Sequence, residues 1–146
     1  MDAATMKALR ETVGMSVSTL ARLARVQERT VRRWETGAAP VPEDVAEIVE
    51  RAKERQDVAV YTAMQVYDDA IDELPDGSEL SVDLRYWTSQ AEYLEHSTDA
   101  ALGLAGDWMM ANATTRRVAA MLDSEGVAVR YTSDELPRPR GLTLVD

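Results

Sequence analysis

The chain has no cysteine and a single histidine, His96. The first absence excludes disulfides, thiolate metal sites and a cysteine nucleophile. The second excludes a multi-histidine metal centre, and any Ser-His-Asp triad would have to use His96. Long apolar runs are missing too: none approaches the roughly 18 residues that a membrane span needs. The first residues show no charged-then-apolar leader, so no signal peptide is expected. These absences lead to the expectation of a soluble cytoplasmic protein. No catalytic constellation is visible, and neither enzyme activity nor a metal or other cofactor is expected.

Basic residues are in deficit, 16 Lys and Arg against 26 Asp and Glu, for a net charge of -10. At 29% charged and 45% hydrophobic the composition is still that of a globular chain. The deficit is uneven. Residues 1–56 hold 10 basic and 9 acidic side chains, whereas residues 57–146 hold 6 and 17. Such an asymmetry suggests two parts with different partners. The first can approach a polyanion; the second is repelled by one. Within the first part, "RVQERTVRRWETG" (25–37) concentrates Arg25, Arg29, Arg32 and Arg33 against only Glu28 and Glu35. Function has to account for that local surplus.

Periodicity and capping predict a first helix over 2–13, with Asp2 as its cap, Met6, Leu9 and Val13 inward, and Gly14 just past its end. Ser16 is a good N-cap for a second helix over 17–24, with Leu20, Ala21 and Ala24 inward. A tight turn at 24–26 leads into a third helix over 27–35, with Val31 and Trp34 inward, and Gly37 supplies its stop. Pro42, Glu43 and Asp44 open a long helix. Its apolar stripe reads Val45, Ile48, Val49, Ala52, Ala59, Ala63, Val66, Ala70, and a second stripe (Val60, Met64, Tyr67, Ile71, Leu74) joins it. A widening arc predicts more than one packing neighbour. Alternation of Leu80, Val82, Leu84 and Tyr86 predicts a half-buried strand over 79–87. Ser89 and Glu92 stand at capping-box spacing before a short helix. Residues 99–105 are ambiguous, 107–124 read as helix and 127–131 as a short strand.

Two short helices joined by a three-residue turn make a helix-turn-helix. Ala21 sits where the helices touch, Val26 follows the turn, and Val31 plugs the gap between them. Arg25 occupies a turn position where glycine is common, at a cost on the order of 1 kcal/mol if left-handed. Val31 and Trp34 face inward, so Gln27, Glu28, Arg29, Arg32 and Arg33 point outward or sideways. In this motif the third helix enters the major groove. There arginine can bond guanine and glutamine adenine, and guanidinium also pairs with phosphate. The expected DNA contacts are these five residues, with Arg25, Ser16 and Thr30 beside them. A solvated arginine face is the plain alternative, and helix position favours DNA. Glu28 either accepts from a cytosine amine or pairs with Arg25 or Arg32. Glu35 is expected to cap or pair locally. Trp34, Met109, Met110 and Met121 fit packing better than ligand binding, and the cluster Asp68, Asp69, Asp72, Glu73 fits a solvated helix end. Tyr86 and Trp87 could stack RNA bases, although packing suits so acidic a region better.

"SVSTLARLARVQERTVRRWETG", with "VPEDV" after it, resembles the Cro/cI-type (XRE) helix-turn-helix family over roughly residues 5–50. The wider order, with "VDLRYW" then a helix and a terminal strand, is similar to YdiL-like and anti-CRISPR-associated (Aca-type) regulators of phages and mobile elements, over roughly residues 5–131. The resemblance implies a homodimeric autorepressor that binds an inverted repeat in its own promoter. The fold expected is mainly α with a small α+β C-terminal part. It comprises a lambda-repressor-like helix-turn-helix bundle (1–56), a long connecting helix with a dimerisation domain (57–131) and a loose tail (132–146). Val60, Met64, Tyr67, Ile71, Leu84, Tyr86 and Trp108 are the expected dimer contacts. The rival from another class is an antitoxin-like interaction protein whose acidic domain neutralises a partner protein.

Overall fold

The computed structural model describes residues 1–97 and 107–134. The ambiguous segment 99–105 and all but the first residues of the expected tail lie outside the described residues. The elements run α1 (Ala3–Thr12), α2 (Val17–Ala24), α3 (Glu28–Glu35), α4 (Glu43–Asp72), β1 (Ser81–Arg85), α5 (Gln90–His96), α6 (Trp108–Ser124) and β2 (Ala128–Thr132). The fold is mainly helical, with one small two-stranded sheet in its C-terminal part. Among the described residues no helix is long and apolar enough to cross a membrane. The chain divides into two compact units, one spanning Met1–Asp57 and the other beginning at Val58.

In the first unit, side chains that also favour turns set the helix starts. The Asp2 carboxylate accepts from the Thr5 amide at 2.8 Å, and the Ser16 hydroxyl accepts from the Thr19 amide at 2.9 Å. Met6, Val13, Met15, Leu20, Ala21, Val31, Trp34, Val45, Ala46, Val49 and Ala52 form the buried hydrophobic set. Each large side chain fully buried here is worth about 1.5–3 kcal/mol.

Along α4 the buried positions are Val45, Ala46, Val49, Ala52, Gln56, Val60, Met64, Tyr67 and Ala70, and from Val45 through Val49 to Ala70 they recur every three or four residues. Past Gln56 the buried line follows the second expected stripe through Val60, Met64 and Tyr67, with Ala70 of the first buried as well. Ala59 and Val66, expected inward, are exposed. Gln56 takes the core position between Ala52 and Val60. Its side-chain amide donates to the Thr12 carbonyl at 2.9 Å, which satisfies a buried polar group and closes the end of α1.

In the second unit β1 and β2 pair in parallel, with Ser81 opposite Ala128 and Arg85 opposite Thr132. Both strands are five residues long, so β1 is shorter than the expected 79–87. Parallel neighbours need a crossover, and the chain between them carries α5 and α6. Val82 and Leu84 point inward as their alternation predicts, and join Val60, Met64, Tyr67, Val118, Ala119, Leu122 and Val127 in one core, with Ile71 and Val129 packed against it. The expected dimer contacts Val60, Met64, Tyr67 and Leu84 are thus enclosed by their own chain, and Ile71 is largely so. The α4 stripe already finds its neighbours in α6 and the sheet. Tyr86 and Trp108 are half-buried: the Tyr86 hydroxyl accepts from Arg116 at 2.7 Å, and the Trp108 amide donates to Gln90 at 3.1 Å. Buried Asn112 holds the end of β1, accepting from the Trp87 amide and donating to the Trp87 carbonyl, both at 2.8 Å.

The capping box at α5 forms in a modified way. The Ser89 hydroxyl accepts from the Glu92 amide, but the Glu92 carboxylate receives the Thr88 hydroxyl and amide at 2.6 and 2.7 Å. Those donors, with Arg85 behind them, hold the Glu92 carboxyl below its ordinary range. This contribution to stability is lost as pH falls through the lowered value. Glu125 behaves oppositely. The neighbouring Asp68 charge raises its carboxyl, so ionising Glu125 in the folded chain is unfavourable. Replacing it by Gln is expected to raise the melting temperature at pH 7, and the gain should vanish near pH 3, where Glu125 is protonated. A gain of equal size at both pH values would remove the charge explanation.

Candidate nucleic-acid interface

The α2–α3 connection is set by one backbone conformation. Arg25, the C-cap of α2, is left-handed at φ 57°, ψ 43°. It is the sole non-glycine residue with positive φ among the described residues. The turn is closed by the Val26 amide, which donates to the Ala21 carbonyl at 2.9 Å, and by the Arg25 amide to Arg22 at 3.3 Å. Holding a β-carbon in this conformation costs on the order of 1 kcal/mol. Ala21 and Val31 are both buried, so α2 and α3 close together across the turn.

The buried side of α3 is Val31 and Trp34. Glu28, Arg29, Arg32 and Arg33 are exposed, as are Gln27 and Arg25, and Thr30 is half-buried with its amide bonded to the Gln27 carbonyl at 2.9 Å. The structure therefore gathers the expected arginines and Gln27 on and beside one exposed helix. Gln27 is the N-cap residue, not the first helical one. Its side chain makes no capping bond, whereas Asp2, Ser16, Ser89 and Asp107 all cap their helices with side-chain oxygens. The Gln27 amide is therefore left available. Ser16 differs: its hydroxyl is engaged within the chain, both with the Thr19 amide and with the Thr19 hydroxyl.

Two carboxylates share this stretch, and they part company. Glu28 lies 3.6 Å from Arg32 one turn on, with both side chains at least half exposed. Such a pair contributes little to stability. Arg25, Arg29 and Arg33 make no ion pair with any described residue. Glu35 turns inward to Arg10, whose Nε donates to it at 2.5 Å, both side chains being 10% exposed. The Arg10 Nη1 also donates to the Met15 carbonyl at 2.7 Å. This corrects the expectation that Glu35 caps or pairs locally, since its partner lies 25 residues away. Burial favours that choice, because a carboxylate at the base of α3 needs a desolvated cation beside it. The sequence held one clue: Arg10 falls four residues after Met6, on the inward face of α1.

The surface that results is a short helix presenting free guanidinium groups and an uncommitted amide, anchored from behind by a buried ion pair. Hydrogen-bond donors of this kind suit an anionic, acceptor-rich surface. No curated protein matches the sequence significantly. The Aca2/YdiL-like family model matches residues 1–126, nearly the whole of the described chain, and the protein belongs to that family.

Proposed function

We propose that the protein is a sequence-specific DNA-binding repressor that acts as a homodimer on an inverted repeat, controlling its own operon. Family membership supports a phage-associated regulator. The observation that carries the finer reading is the exposed face of α3. There Arg29 and Arg33, one helical turn apart, project beside Gln27 without an ion-pair partner among the described residues, in a chain of net charge -10. A solvated face of an acidic protein has no need of unpaired arginines. A groove lined by guanine O6 and N7 does. The acidic second unit limits non-specific attraction to phosphate, since that attraction is almost wholly electrostatic. Binding, not catalysis, is the proposed activity.

Footprinting on the upstream DNA of the protein's own gene tests this reading. Arg29→Ala or Arg33→Ala is expected to weaken operator binding by about 1–3 kcal/mol if that arginine reads a base. A phosphate-only contact instead weakens operator and random DNA alike and lowers the salt slope by about one unit. If both variants bind like the parent, α3 does not enter the groove. The dimer contact is proposed for the second unit. With Val60, Met64 and Tyr67 enclosed, it falls to the apolar side chains left outside there, Val58, Tyr61, Met109, Met121 and Tyr131 among them. Half-sites about one helical turn apart, or a multiple of it, are expected.

A further inference from the structure

We infer that Glu28 is the specificity filter of α3: its carboxylate opposes binding to DNA in general and is accommodated where the half-site presents a cytosine amine. This rests on the DNA-binding reading above. Of the two carboxylates in residues 25–37, Glu35 is withdrawn into the pair with Arg10. Glu28 is thus the one acidic group left on the exposed face, at the first turn, beside Gln27. An ionised carboxylate offers acceptors alone. Phosphate oxygens repel it, and so do guanine O6 and N7, adenine N7 and thymine O4. Adenine N6 is a donor but has the N7 acceptor at its side. Cytosine N4 is a donor with no such neighbour on its own major-groove edge.

The free protein keeps Glu28 ready for this role. Its contact with Arg32, 3.6 Å long and exposed, is easily exchanged. When a cytosine amine takes the carboxylate, Arg32 is released toward phosphate or a neighbouring base. On other sequences the carboxylate either stays on Arg32, which then contributes less to DNA, or faces an acceptor. Both alternatives weaken binding. A purely structural role, favourable interaction with the positive end of the α3 dipole, is independent of which DNA is present.

The test uses the full chain and its E28Q variant. Duplexes are first selected from a randomised library with each protein. Affinities are then measured for the parent's selected duplex and for a mixed-sequence duplex of equal length, over a range of salt concentrations. The expected result has three parts. E28Q binds mixed-sequence DNA more tightly, with a salt slope steeper by about one unit. Its ratio of selected to mixed-sequence affinity falls about tenfold. Its selected duplexes lose a cytosine that the parent fixes once in each half-site. An unchanged ratio, or a parent consensus with no such cytosine, overturns the filter while leaving DNA binding intact. A parent that enriches no duplex overturns the DNA-binding reading itself, and the filter with it.

Discussion

Residues 1–57 prepared alone are expected to fold, to be monomeric, and to bind the operator about 10²–10⁴-fold more weakly than the full chain. The fragment retains its own compact unit and the buried set from Met6 to Ala52, so its core is complete. It also keeps Gln56, which closes on Thr12. What it loses is the second unit, where the dimer contact is proposed. Joining two half-site modules makes the second binding event intramolecular, and the expected loss is the loss of that effective concentration. Light scattering and a binding titration on the fragment provide the check. A dimeric fragment would move the interface into the first unit. A monomeric fragment that binds like the full chain would mean that one copy suffices for recognition, against the inverted repeat.

Arg10→Met is expected to lower the stability of the first unit by about 3 kcal/mol, the scale set by removing one partner of a buried ion pair. Two groups are stranded by the change: the Glu35 carboxylate, 10% exposed, and the Met15 carbonyl that Arg10 also satisfies. The double variant Arg10→Met, Glu35→Leu should regain most of the loss. Much of the cost of the single change is the uncompensated charge, and apolar replacement of a whole pair is often close to neutral. Urea unfolding of the three proteins decides the matter. A single variant within about 1 kcal/mol of the parent would show that water reaches Glu35 freely. Because Glu35 is the last residue of α3, the same pair ties that helix to α1. Operator binding by the single variant is therefore expected to weaken even where the protein remains folded.

Much of the first unit was legible in the sequence because its signals are local. Asp2 and Ser16 mark helix starts through bonds to amides three residues on. Ala21, Arg25, Val26 and Val31 define the turn within eleven consecutive residues, and the left-handed Arg25 follows from that spacing. The outward set of α3 follows from Val31 and Trp34 by helical period alone. Where the reading failed, the partner was distant or disguised. Glu35 looked local because its true partner is charged and lies on another helix's apolar face. Gln56 hid the line of α4, because a polar residue fills the core position between Ala52 and Val60, and the first expected stripe ran instead through Ala59 and Val66, which are exposed.

The sequence by itself determined the two short helices α2 and α3 and the turn between them, the segregation of charge between the two halves and the alternation that buries Val82 and Leu84. Capping, turn chemistry and hydrophobic period act over a few residues, so they are written in order along the chain. Tertiary structure decided which strands pair, in which direction, and which apolar side chains are used up. Nothing in the pattern of β1 or β2 distinguishes pairing with each other in parallel from pairing with another copy. That choice depends on α6 carrying Val118 and Leu122 onto the same core as Val60 and Met64. Tertiary structure also decided that Glu35 turns inward and Glu28 stays outside. The two carboxylates stand seven residues apart on one short helix, and only the buried guanidinium of Arg10, reaching Glu35 and not Glu28, tells them apart.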